Sequence, residues 1–182
     1  MPAEVAAQAQ APVSAPVQTT PPVLDEKEQA FWRSKLHTAN FGGAVALFMR
    51  SPAHKHYTLT DLEWLLIPPL RLNQFMAAEV KLPHGQTVLA ALVLWARVSA
   101  GVDARLSTAP CYPIRLHPNE WQSGDVFWVV DAVSERNSLQ QCIEALAKTA
   151  LQEKPFKIMQ AVAGRGIAVR QQEASAAEVS PI

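Results

Sequence analysis

The chain has 182 residues, 49% of them apolar, and its 16 basic side chains are balanced by 16 acidic ones. That length supports one core of ordinary size, and a formal charge of zero without runs of like charge excludes the basic footprint of a typical nucleic-acid binder. The longest apolar stretch, "TVLAALVLWARV", is shorter than the roughly 20 residues that cross a bilayer, so no membrane span is expected.

Residues 1–24, "MPAEVAAQAQAPVSAPVQTTPPVL", are mainly Ala, Pro and Gln without an aromatic residue, and read as a disordered arm. They lack the basic start and unbroken apolar block of a secretory signal, which points to a cytoplasmic protein. Residues 25–172 form the expected domain, and 173–182 a second flexible tail.

The domain begins with "DEKEQAFWRSKLHTANFGGAVALFM", where Phe31, Leu36, Phe41, Val45 and Phe48 recur at helical intervals. Gly42 and Gly43 predict a break into two helical pieces. After a polar joint, Thr58 with Asp61 three residues on predicts a capped helix in "DLEWLLIPPL", which Pro68 and Pro69 should end.

The period then changes. "NQFMAAEVKLPHGQTVLAALVLWARVS" reads as two strands joined by a turn over Pro83, His84, Gly85 and Gln86. A short helix is expected around "GVDARLS", a strand in "GDVFWVVDAV", a helix in "SLQQCIEALAKTALQ" capped by Ser138, and two short strands about the turn from Gly164 to Gly166. A strand, crossover helix and strand inside an otherwise antiparallel sheet defines a single-domain α/β fold, a mixed sheet flanked by helices.

Few residues offer chemistry. Cys111 and Cys142 have no CxxC or Cys/His ligand spacing, so neither a disulfide framework nor a metal site is expected. Cys142 falls on the stripe Leu139, Cys142, Ile143 and Leu146, where it reads as a small buried hydrophobe. Trp95, Trp121 and Trp128 read as core or pocket wall, Asp125 in "WQSGD" as a turn residue, and His84 and His117 as ordinary loop residues.

The joint "SPAHKHY" is different. Ser51 suits an N-cap and Pro52 a first helical position, which puts His54 third, where positive charge is disfavoured and a proton acceptor is retained. The plainer interpretation is a capped turn with His54 and His56 solvated beside it. The second candidate is Asp131. Strand alternation puts Phe127, Val129 and Asp131 on one face and Val126, Trp128 and Val130 on the other. A carboxylate at the end of so apolar a strand needs a hydrogen-bonding or cationic partner, either an imidazole or the amides of the following loop.

Taken in order, "SPAH", "NQF", "LWA" and "EWQSGDVFWVVD" resemble the lysine-acyltransferases that activate RTX toxins, the haemolysin-activating type. The resemblance implies a fold similar to the Gcn5-related N-acetyltransferases, and a fatty acyl group moved from acyl carrier protein to the ε-amine of an internal lysine in a protoxin. It puts the essential histidine on His54, the essential aspartate on Asp131 and the motif serine on Ser51, as support or acyl carrier. It implies no bound cofactor, acyl-acyl carrier protein as co-substrate, and a homodimer. After Asp131 the family pattern Trp-Ile-Ala-Pro-Phe-Gly is replaced by Ala132, Val133, Ser134, Glu135, Arg136 and Asn137. That departure motivates the alternative of an inactive descendant that binds acyl carrier protein or a partner polypeptide.

Overall fold

The computed structural model describes residues 25–108, 113–135, 138–152, 154–162 and 166–172. The expected arm, the terminal tail, Cys111 and the turn between the last two strands lie outside them. Helices α1 (Glu26–Arg50), α2 (Leu59–Leu65) and α3 (Ile67–Leu72) come first, then strands β1 (Phe75–Lys81) and β2 (Thr87–Val98) and helix α4 (Ala100–Thr108). Strand β3 (Val126–Ser134), helix α5 (Ser138–Thr149), and strands β4 (Phe156–Val162) and β5 (Gly166–Gln172) complete the domain. The five strands lie in the order β1-β2-β3-β4-β5, antiparallel except for β3 with β4, which α5 connects. This is the mixed α/β sheet expected, consistent with an acetyltransferase-like fold.

Two helical expectations are corrected. Helix α1 runs unbroken through Gly42 and Gly43. Glycine retains its backbone N–H and C=O and costs a helix only about 1 kcal/mol relative to alanine, which packing of Ala44, Leu47 and Phe48 into the core offsets. The start of α1 is secured by a reciprocal capping box between Asp25 and Glu28. Pro68 and Pro69 do not end a helix but begin one, because in the first turn of α3 their missing N–H groups have no intrahelical partner to lose. Asn73, at φ 53°, closes α3 in the left-handed conformation.

The hairpin turn closes as expected, with the Leu82 amide donating to the Gln86 carbonyl at 2.7 Å and Gly85 at φ 82°. Its glycine is required there, since an L side chain rarely adopts that φ. Helix α5 buries Leu139, Cys142, Ile143, Leu146 and Ala147, a continuous helical stripe, against the face of the sheet that presents Val93, Trp95, Phe127 and Val129. Full burial of Ile143 or Leu146 contributes about 1.5–3 kcal/mol each. The opposite face, with Leu92, Leu94, Trp128 and Val130, packs on α1, α2 and α3.

The block "WQSGD" is a structural knot at the end of β2. The Trp121 carbonyl accepts from the Arg97 amide at 2.9 Å and from Gln74 Nε2 at 3.0 Å, while the Gln74 carbonyl accepts from the Trp95 amide at 3.0 Å. A Cβ at Gly124 would lie 2.6 Å from Ser99 Cα and the Val98 carbonyl oxygen, so only glycine fits without displacing backbone. Asp125 is exposed and pairs with Arg97 at 2.6 Å, as a turn residue should. Trp121 and Trp128 are fully buried and Trp95 nearly so, whereas His84 and His117 are exposed.

Gly124→Ala should lower the unfolding free energy by about 1–3 kcal/mol, measured by urea denaturation, while Gly42→Ala, where an added Cβ meets open space, should be neutral or stabilising. Burial pushes the Cys142 thiol from 9.0 up to about 11. The folded state therefore holds that proton more tightly than the unfolded chain, and stability should decline as pH rises from about 9 to about 11. In a Cys111→Ser background, Cys142→Ala should remove that part of the decline, read as denaturation midpoints across the same range.

Candidate active site

Helix α1 delivers the first side chain. Leu47 and Phe48 anchor its last turn in the core, the chain leaves it at Ser51, the C-cap, and the Ser51 amide donates to the Phe48 carbonyl at 3.1 Å. No helix follows. Residues 52–56 make turns in which the His54 and Lys55 amides both donate to the Ser51 carbonyl, at 3.1 and 2.9 Å. The expectation that Ser51 caps a new helix and that His54 sits in its first turn is therefore corrected. Thr58, three residues before Asp61, already caps α2, so the intervening segment is too short for another helix.

The serine hydroxyl instead meets a ring. Ser51 Oγ lies 2.7 Å from His54 Nδ1, and His54 Nε2 lies 3.1 and 3.2 Å from the two carboxylate oxygens of Asp131. His54 and Asp131 are each only 4% exposed, which rules out the solvated-turn interpretation of His54. His56 is exposed. Asp131 Oδ1 also accepts the Ala132 amide at 2.8 Å.

A carboxylate can only accept, so Nε2 carries the ring proton toward Asp131. In the neutral imidazole Nδ1 is then the acceptor, and the serine hydroxyl donates to it. Ser51, His54 and Asp131 form one directed relay in which the Nδ1 lone pair accepts the Ser51 hydroxyl.

Two aromatic residues that sequence reasoning assigned no part in the site hold the imidazole in place. Phe48 stacks on it with centroids 4.8 Å apart and planes at 20°, and Tyr57 meets it edge-on at 5.3 Å. Their spacing in "FMRSPAHKHY", six residues before the histidine and three after, is a signal only once the chain is known to turn back on itself there.

Asp131 reaches this side of the sheet because of a bulge. In the β2–β3 ladder Trp95 pairs with Val129 and Leu94 with Asp131, so Val130 has no opposite residue. Phe127 and Val129 face α5, but Trp128, Val130 and Val133 face α1. Strict alternation would have put Asp131 with Phe127 and Val129; the extra residue turns it to the opposite face, toward His54. The ladder between β3 and β4 ends at Val129 and Ile158, so the segment carrying Asp131 is paired through β2 alone.

Among the described residues no cluster of His, Cys, Asp and Glu could hold a metal ion, and no helix is long and apolar enough to cross a membrane. A mixed α/β domain with a buried serine–histidine–aspartate relay under its sheet is suited to proton transfer during acyl transfer. A family model described as HlyC, the RTX toxin acyltransferase family, matches residues 33–174. The chain belongs to that family, and its activity class is acyl transfer to RTX toxins. No match is found among curated proteins.

Long-range proton–nitrogen NMR at neutral pH should find the Nε2–H tautomer of His54. Removing the imidazole leaves Asp131 buried without its ring partner, so His54→Ala should lower stability by about 3 kcal/mol in urea denaturation.

Proposed function

We propose that the protein transfers a fatty acyl group from acyl carrier protein to the ε-amine of an internal lysine of an RTX-type protoxin, with His54 as general base and Asp131 orienting it. The observation that carries this reading is the buried imidazole, fixed through Nε2 by Asp131 and offering Nδ1 to Ser51, in a chain of the RTX toxin acyltransferase family.

The chemistry demands such a base. A lysine of pKa about 10.4 is protonated at neutral pH, and bringing it to the neutral amine costs roughly 4–5 kcal/mol. The ammonium first releases one proton to solvent; the neutral amine nitrogen then attacks the thioester carbonyl, a C–N bond forms and the C–S bond breaks. The amine proton passes to His54 Nδ1, directly or through the Ser51 hydroxyl, and then to the departing thiolate. Asp131 stabilises the imidazolium that exists between those two transfers. Because the thioester is already activated, transfer proceeds directly, and Ser51 positions and relays without carrying the acyl group.

The reaction assigns graded costs. With acyl-acyl carrier protein and an RTX protoxin, lysine acylation followed by mass spectrometry should fall by about 100- to 10,000-fold in His54→Ala. Asp131→Asn should reduce it by a comparable factor. Ser51→Ala should cost only about tenfold, the worth of one positioning hydrogen bond. Equal transfer by wild type and His54→Ala would refute the mechanism, and a protoxin bound but never acylated would favour a binding module.

A further inference from the structure

Helix α1 ends on Arg50, the residue before Ser51. The Arg50 guanidinium reaches the sheet at two points. Its Nη2 donates to the Leu89 carbonyl of β2 at 3.1 Å, and its Nε pairs with the carboxylate of Glu135, just past the end of β3. The Glu135 amide in turn donates to the Ala90 carbonyl at 2.7 Å. One side chain thus joins the end of α1, the first part of β2 and the end of β3.

The two ends of this ion pair lie beside the two ends of the relay. Ser51, whose hydroxyl meets the His54 ring, follows Arg50 directly. Asp131, which meets the other ring nitrogen, precedes Glu135 by about 13 Å of strand, at about 3.3 Å per residue. The Asp131 segment lacks other support. Its ladder to β4 stops at Val129, and the bulge at Val130 interrupts its ladder to β2 immediately before Asp131.

Resting on the acyl transfer reading above, we propose that Arg50, paired with Glu135, is a positioning residue for this reaction. It brackets α1 to the end of β3 and so fixes the separation across which His54 meets Asp131. A guanidinium suits that task because its planar fork holds two acceptors in fixed directions, which an ammonium cannot do. The two side chains are 42% and 40% exposed, and an ion pair so open to water adds little to global stability. Its effect is on the relative placement of two segments whose side chains must meet within hydrogen-bond distance, where a small displacement costs the reaction far more than the fold. Glu135 stands in the segment where this chain departs from the family pattern, so the departure brings a support for Asp131 of its own.

Arg50 also lies in the last turn of α1, where any cation is favoured. Arg50→Lys separates the two roles, since it keeps the charge and loses the fork. With acyl-acyl carrier protein and an RTX protoxin, Arg50→Ala should lower kcat about tenfold with KM little changed, and Arg50→Lys should lose nearly as much. Glu135→Ala should cost about fivefold, and the double variant no more than Arg50→Ala alone, because both remove one bracket. Asp125→Ala breaks another exposed ion pair, to Arg97 at the opposite end of β2 and β3, and should leave kcat at the wild-type value. In the free protein, solvent exchange of the His54 Nε2 proton, followed by NMR, should quicken about tenfold in Arg50→Ala and Arg50→Lys but not in Asp125→Ala. Full activity in Arg50→Lys, additive losses in the double variant, or unchanged Nε2 proton exchange in Arg50→Ala overturns the proposal. So does a loss of activity matched by a fall in the urea denaturation midpoint, which would make the pair a general stabiliser. If wild type transfers no acyl group, the acyl transfer reading fails by itself, and the bracket is judged on the Nε2 proton exchange alone.

Discussion

The contact between His54 and Asp131 is the constraint around which the domain is arranged. Two groups that water would solvate well are nearly sealed from it, 77 residues apart in the chain, and neither is tolerable there without the other. The imidazole depends on α1, whose last turn is held in the core by Leu47 and Phe48 before the chain turns at Ser51. The carboxylate depends on β3, and on the single unpaired residue, Val130, that turns Asp131 toward α1. A small error in either support would separate the pair.

The rest of the sheet works as a frame for that contact. Helix α5 fills one face, and α1, α2 and α3 fill the other, so β2 and β3 are covered on both sides and read as nearly continuous apolar runs. Across one end of the frame, Gln74, Trp95, Arg97 and Trp121 are joined through backbone and amide hydrogen bonds, and Asp103 ties Trp128 and Lys157 to α4. "NQF", "LWA" and "WQSGD", which carried part of the resemblance, are thus pieces of this scaffold. Their residue types are constrained by backbone approach and by carbonyls that must be satisfied, while the chemistry is concentrated in the histidine and the aspartate.

Sequence periodicity was a good guide where a residue's surroundings follow from its own element. The stripe of α5, the hairpin with Gly85 in its turn and the apolar run of β3 are all in place. It misled where a residue has two uses. Glycine can interrupt a helix or let it pass close to a neighbour, and α1 takes the second course at Gly43. Proline can stop a helix or open one, and Leu66, shared as the C-cap of α2 and the N-cap of α3, puts Pro68 and Pro69 in an opening turn. Serine can cap a helix or serve a ring, and Ser51 turns its hydroxyl to His54.

The amino-acid sequence alone determined the fold class, the strand order along the chain and the candidates Ser51, His54 and Asp131, because hydrophobic period, turn chemistry and motif order are local properties written in neighbouring residues. Tertiary structure alone decided that the three side chains meet, which ring nitrogen faces which partner and which face of β3 bears the carboxylate. Those outcomes depend on one unpaired residue in a ladder with β2 and on where α1 crosses the sheet. A bulge carries no reliable local signal: Val130 is a β-branched residue like its neighbours, and only registry against another strand makes it the extra one.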